Sequence, residues 1–488
     1  MKTHTDGRLK KTLDPAAHAI VFPIKPEEAL RQELTTLSTL NEAHLVSLHT
    51  TKLLDPEKIK KLLETIQSFR QEDFASLLKE QSHRGAYLLF ENHLIDTLGM
   101  DIAGSIHIAR SRNDMNATTF KLNLRKSYST IYQNLVKLRE TLLAQAKKYQ
   151  HIAMPVYSQY QVAQVGTYAY YLLAIEEALA RDQMHLTSLY SSLDECPIGA
   201  AAGCGSSFAN DSQLTASLLG FTKCCNNALD AVASRDLALR VASVTSIMTT
   251  TLSRITQDLQ VWTTQEFNFF ELPDEICGGS SMMPQKKNPY LLEIIKGKAA
   301  SLNGLLTQAL TAMHNTPFSN SVEVGTEALQ NFESILKNAA DALTLTELFI
   351  RQTVPIEANM LNSISKGLAF STGLAETLVK EKKMSFREAH QKIGKTITDA
   401  MDRKADPANA IFKLSNQSLA EKDAIHWAGI NEFGGGPGKQ AIQSALERAK
   451  KRLKLDLAWM SKLEFTWIIA DQKLQMAIQK ILICKEQT

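Results

Sequence analysis

"RDLALRVASVTSIMTTTLSRITQDLQVW", residues Arg235–Trp262, decides the fold. Its apolar positions Leu237, Val241, Val244, Met248, Leu252, Ile255 and Leu259 step by four, three, four, four, three and four. That spacing draws one stripe along a helix and does not fit the alternation of a strand. At about 1.5 Å per residue the stretch would run ~40 Å, and a helix of that length needs partners along all of it. The segments Ala117 to Gln150, Tyr168 to Leu193 and Leu291 to Asn315 carry similar patterns, with Pro and Gly collected between them. Helices of matching length predict a bundle. Strand-like alternation is hard to find anywhere, so the fold class is all-α.

Around this bundle the chain divides into three. Residues 1–116 read as shorter helices, with a clear start at Asp55-Pro56 in "LDPEKIKKLLETI". Residues 117–364 form the central bundle, and residues 365–488 follow a change of pattern near Ile364 to Ser371, with a late Gly-rich turn at "FGGGPGK", Phe433 to Lys439.

The 488 residues suffice for two to four domains with a large apolar core. Lys+Arg 54 against Asp+Glu 51 gives a net charge of +3, which suggests neither a nucleic-acid footprint nor an acidic tail. Six cysteines, Cys196, Cys204, Cys224, Cys225, Cys277 and Cys484, include no CxxC pair, which argues against zinc and a disulfide framework and fits a reducing compartment. The start "MKTHTDGRLKKTLDP" has no apolar core, and no run approaches the ~18 apolar residues of a membrane span. A cytoplasmic protein without a membrane partner is expected.

Four clusters carry chemistry. "GGSSMMPQKKNP", Gly278 to Pro289, interrupts the helices with hydroxyls and a lysine pair, and Asn288-Pro289 reads as a helix start with Asn at the N-cap. Backbone N–H groups, a helix N-terminus and Lys286 would converge on a carboxylate there. "ARSRNDMNAT", Ala109 to Thr118, crowds Arg110, Arg112, Asn113 and Asp114 at a helix entrance; it reads as a carboxylate site or as a solvated cap centred on Asp114. "CPIGAAAGCGSSF", Cys196 to Phe208, allows close approach of its backbone to a ligand or to a neighbouring helix. "MPVYSQYQVAQVGTYAYY", Met154 to Tyr171, sets Ser158, Gln159, Gln161 and Gln164 among apolar neighbours and reads as a Gln-bearing helix entry.

In this order the clusters resemble the fumarase/aspartase superfamily. "GSSMMPQKKNP", Gly279 to Pro289, looks like its GSSxMPxKxNP motif, and "MDIAGSIHIARSRND" points to the argininosuccinate lyase branch. "SRD" (Ser234 to Asp236), "TQEFNFFEL" (Thr264 to Leu272), "MSFREAH" (Met384 to His390) and "FGGGPG" support it, and the likeness runs from about residue 27 to 460.

The resemblance implies a three-domain fold and a homotetramer whose central helices form a twenty-helix core, with each active site assembled from three subunits. It also implies elimination of fumarate from an N-substituted aspartate through an aci-carboxylate, with no metal and no organic cofactor. Ser280 matches the base. Lys286 and Asn288 match the groups holding the carboxylate as its charge grows, with Ser281 beside them, and Arg112 and Asn113 match substrate-carboxylate contacts. Ser158 and Gln159 fall at the catalytic pair of the fourth cluster, while Gln164 and Arg235 join the substrate-binding set. A serine needs activation by backbone N–H groups and Lys286 when such a loop closes.

The sequence departs from the family at several points. Where the family has Thr-His, this chain has Ser158-Gln159, and Gln is no proton donor; if that His is the acid, its loss costs ~10²–10⁴ in rate, about 3–5 kcal/mol. Asn320, Gly325 and Ala328 stand where argininosuccinate lyases carry Tyr, Gln and Lys, Gly85 replaces an expected Asp, and another is missing near Leu37. His44, His93 and His107 are candidates to replace the imidazole. Three readings stay open: an argininosuccinate-type lyase, a superfamily lyase releasing another amine, and a silent tetrameric homologue.

Overall fold

A computed structural model describes residues 11, 13–79, 85–415 and 423–483. Cys484 and the first ten residues lie outside them. The quoted stripe forms the helix Asp236–Trp262, with Leu237, Val241, Met248, Leu252, Ile255 and Leu259 buried. It packs along Tyr290–Met313, Tyr168–Leu193 and Phe332–Gln352, and the 37-residue helix Arg112–Lys148 packs against the last two. Burying one continuous apolar stripe against several partners stabilises each helix far more than its intrinsic propensity does. Ile255→Val should therefore cost about 0.5–1.5 kcal/mol in denaturant unfolding, the loss of one methylene from a packed site.

Three apolar cores organise the chain. The largest is the bundle, which the 45-residue helix Lys439–Ile483 joins through Ile442, Leu446, Leu453 and Met460. A second gathers Glu27–Thr50, Pro56–Gln71 and Ala86–Leu98 with Cys196, Ile198 and Phe221, and with Leu474 and Ile478 from the far end of that same helix. A third collects Ile364 to Ala428. Thus each core draws on residues distant in sequence. Asp55 caps Pro56–Gln71 by accepting from the N–H groups of Glu57 and Lys58, as its sequence reads.

One expectation fails. The fourth cluster enters a helix only at its end, where Thr167 caps Tyr168–Leu193; the Gln-bearing part is an antiparallel hairpin, Ala153–Ser158 against Gln161–Thr167, pairing Ala153 with Thr167 and Ser158 with Gln161. Ala153 and Val165 belong to the third core, so the hairpin base is buried and alternation is lost. Its turn places Gln159 and Tyr160 at φ 51° and 62°, the two-residue geometry usually marked by Asn-Gly.

Candidate active site

The loop carrying Ser280 is sealed at its base. Gly278 N–H donates to the Asn288 carbonyl at 2.8 Å, and Asn288 N–H returns the bond to Gly278 at 2.8 Å. A Cβ at position 278 would lie 2.9 Å from Tyr290 Cδ1, so any other residue would displace the Tyr290 ring. Within the loop, Ser280 Oγ accepts from the N–H groups of Met283 at 3.0 Å and Met282 at 3.4 Å. Two amides so placed favour an alkoxide over a hydroxyl at this position.

The two lysines divide. Lys287 is paired with Asp274 at 2.6 Å and donates to the Leu272 carbonyl, whereas among the described residues Lys286 forms no ion pair. Lys286 and Ser281 are exposed on the same loop as Ser280.

Asn288 corrects a second expectation. The helix begins at Tyr290 with Pro289 at its N-cap, and Asn288 Nδ2 reaches back to the Gly279 carbonyl at 3.3 Å. Its backbone is committed to Gly278, so its side chain spans the loop instead of capping.

The arginine-rich cluster opens Arg112–Lys148 through a capping box. Ser111 caps the helix, and Asp114 Oδ1 accepts from Ser111 N–H at 2.9 Å. Asp114 is no solvated cap: it is fully buried, and its Oδ2 accepts from the N–H groups of Gly199 at 3.1 Å and Ala201 at 2.8 Å. The small-residue loop therefore approaches a carboxylate of the neighbouring helix. Gly199 at φ 96° is needed because a Cβ would sit 2.1 Å from Ser212 Oγ. Burial pushes the Asp114 carboxyl up to about 6 although three backbone donors favour its ionised form.

This tie fixes Asn113. Its Nδ2 donates to the Ala202 carbonyl at 3.4 Å, and its Oδ1 accepts from Asn320 Nδ2 at 3.1 Å. Arg112 is exposed next to it, while Arg110 is buried with Nε and Nη1 lacking a hydrogen-bond partner. Of the three divergent positions only Asn320 joins this group. Gly325 lies in the π-helical turn Glu323–Glu327, and Ala328 is buried.

The remaining candidates stand apart. Ser158 and Gln159 are exposed at the hairpin tip. Gln164 lines a cleft with Phe370, Thr372, Gly373, Trp427 and Asn431. Arg235 is buried, and its Nη1 donates to the carbonyls of Ser234 at 2.7 Å and Val232 at 3.3 Å. Among the described residues no hydrogen bond joins the Ser280 loop, the Asn113 group and the hairpin tip within one chain. Sequence reasoning missed the acceptor role of Asp114; the one hint was a loop of small residues whose amides needed a partner.

Comparison with known proteins bears on the family and the fold. Residues 31–304 match a family described as "Lyase", and residues 368–431 match one described as "Argininosuccinate lyase C-terminal". An argininosuccinate lyase from Methanoculleus marisnigri is 32% identical over 444 residues, 86% of this chain and 88% of that one. A crystal structure of EDDS lyase in complex with formate superposes with a TM-score of 0.82 at 27% identity, covering 96% of this chain and 99% of that one. A class II fumarase from Schistosoma mansoni, at 14% identity and a TM-score of 0.66, covering 80% and 88% of the two chains, shares the fold.

Proposed function

This chain belongs to the argininosuccinate lyase family of the fumarase/aspartase superfamily, and on that footing we propose that it is a carbon–nitrogen lyase releasing fumarate from argininosuccinate or a related N-substituted aspartate. The observation that carries the proposal is Ser280 Oγ held by two amides in a loop whose other cation, Lys286, is uncommitted. Ser280 removes the proton beside the carboxylate. Lys286 and Asn288 hold the resulting aci-carboxylate, and Arg112 and Asn113 hold the substrate's carboxylate. Lys286→Met should lower kcat about 10²-fold, the usual cost of deleting one electrostatic contact to developing charge. The direct test is fumarate appearance by ultraviolet absorbance when the purified protein meets argininosuccinate; silence there and on a panel of other aspartate adducts would leave a binding role.

The active site is proposed to form between copies in a homotetramer. Ile247, Ile294 and Leu310 stay exposed on bundle helices, at 62%, 39% and 47%, and among the described residues no hydrogen bond joins the three site groups. A sedimentation mass of four 54.2 kDa chains is expected; a monomer would refute shared sites.

A second reading, release of a different amine, is supported by Ala328. At 3% exposure it offers no side chain with which to grasp an arginine-like leaving group. Turnover of another aspartate adduct in preference to argininosuccinate would decide for it.

A further inference from the structure

The structure separates the three candidate histidines. His44 is buried, its Nε2 lies 3.0 Å from the Ile108 carbonyl, and burial holds it well below the ordinary imidazole range. His93 is half-buried, edge-on to Phe69 with centroids 5.3 Å apart. His107 differs. It ends the 3-10 turn Gly104–His107, just ahead of the Ser111 cap, and its side chain is 43% exposed.

Behind His107 stands a buried acid and phenol. Tyr87 Oη lies 2.6 Å from His107 Nδ1, and Glu91 Oε1, only 7% exposed, lies 3.7 Å from the same nitrogen. Tyr87 and Glu91 are one turn apart on Ala86–Leu98 and both face the His107 ring. Tyr87 Oη can thus accept from His107 Nδ1–H, with the Glu91 carboxylate close behind the same nitrogen. With Nδ1 engaged, Nε2 is the ring nitrogen left for exchange with a ligand.

We propose that His107 gives the Nε2 proton to the departing amine nitrogen, the task Gln159 cannot perform, with Tyr87 and Glu91 as positioning residues behind the ring. This rests on the fumarate-forming elimination proposed above. Ser280 Oγ, as alkoxide, takes the proton from the carbon beside the carboxylate, and that C–H electron pair becomes the double bond of fumarate. The C–N pair leaves with nitrogen and captures the His107 proton. Serine ends as hydroxyl and histidine as neutral imidazole, and solvent proton exchange resets both.

The charged and titratable groups facing His107 are Glu91 and Tyr87 from Ala86–Leu98, Arg110 just ahead of the Ser111 cap and Arg112 just after it, and His44 from Glu27–Thr50. Burial first, then Arg110 and Arg112, push its imidazole down, against the opposing pull of Glu91. A depressed imidazolium is the stronger acid.

The test uses the full chain with argininosuccinate. His107→Asn should lower kcat about 10²–10³-fold and remove the limb of the pH profile on which rate falls as pH rises. Adding Gln159→His to that variant should restore at least about tenfold, because the imidazole returns at the family's position. Tyr87→Phe, which keeps the ring, should cut kcat about tenfold with KM unchanged. The inference is overturned if His107→Asn stays within about threefold of the unaltered protein, or if its loss is neither restored by Gln159→His nor accompanied by a changed pH limb. Absence of fumarate from the unaltered protein would instead remove the elimination reading, and the inference with it.

Discussion

Ser280→Ala should yield a protein that folds normally and releases fumarate about 10³–10⁴-fold more slowly. The folding half follows from position: Ser280 sits in an exposed loop, and the bonds it accepts come from Met282 and Met283 of that same loop. Surface changes of this kind stay within about 0.5 kcal/mol, so thermal unfolding should not move appreciably. The kinetic half follows from chemistry, because alanine offers no atom to receive the carbon-bound proton, while Lys286 and Asn288 remain to bind the carboxylate. KM should therefore hold while kcat collapses. Unchanged turnover would show that Ser280 only orders its loop, and the base would have to be sought elsewhere.

Asp114→Ala should be the most damaging change to the fold near the site. It leaves the part-buried amides of Ser111, Gly199 and Ala201 without their acceptor, at about 1–2 kcal/mol each, so a loss of about 3–6 kcal/mol is expected by denaturant unfolding. Asn113 loses its support on the Ala202 carbonyl at the same time, so residual activity should fall further than stability alone predicts.

The pH dependence of Asp114 has a definite sign. Its folded value of about 6 lies above the ordinary 3.8, so the native state binds this proton more tightly than the unfolded chain does. The stabilising contribution is full below about pH 4 and is lost as pH rises through about 6, a swing of about 3 kcal/mol. Asp114→Asn cannot titrate, so the stability gap between the natural chain and this variant should shrink by that amount from pH 4 to 7. A pH-independent gap would mean that the three donors cancel the effect of burial, and a gap widening with pH that they outweigh it.

Much of this was legible in the sequence wherever the decisive interaction was periodic. Leu237 to Leu259 announce a helix and its buried face at once, because helix geometry converts spacing directly into a stripe. The hairpin at Ala153–Thr167 was hidden for two physical reasons: its base is buried on both faces, and its turn uses Gln159 and Tyr160 in the left-handed region without glycine or asparagine. Asn288 and Asp114 were misread for a shared reason. Each carries a local capping pattern, yet the partner that settles its role, Gly278 for one and Gly199 with Ala201 for the other, is brought in by the fold. Residue types marked Ser280, Lys286, Arg112 and Asn113 as candidates; nothing along the chain shows which copy's loop meets which helix.

The paired bonds between Gly278 and Asn288 also bear on timing. A segment whose ends are already joined has met its closure entropy during folding, and that cost grows only slowly with length. Substrate then has to order only the tip, Ser280 to Lys286. Closing a free loop of about ten residues takes on the order of 10–100 ns, far shorter than the turnover time of an ordinary enzyme. A loop tethered in this way should keep pace with every catalytic cycle, which leaves bond cleavage or product departure to set the rate.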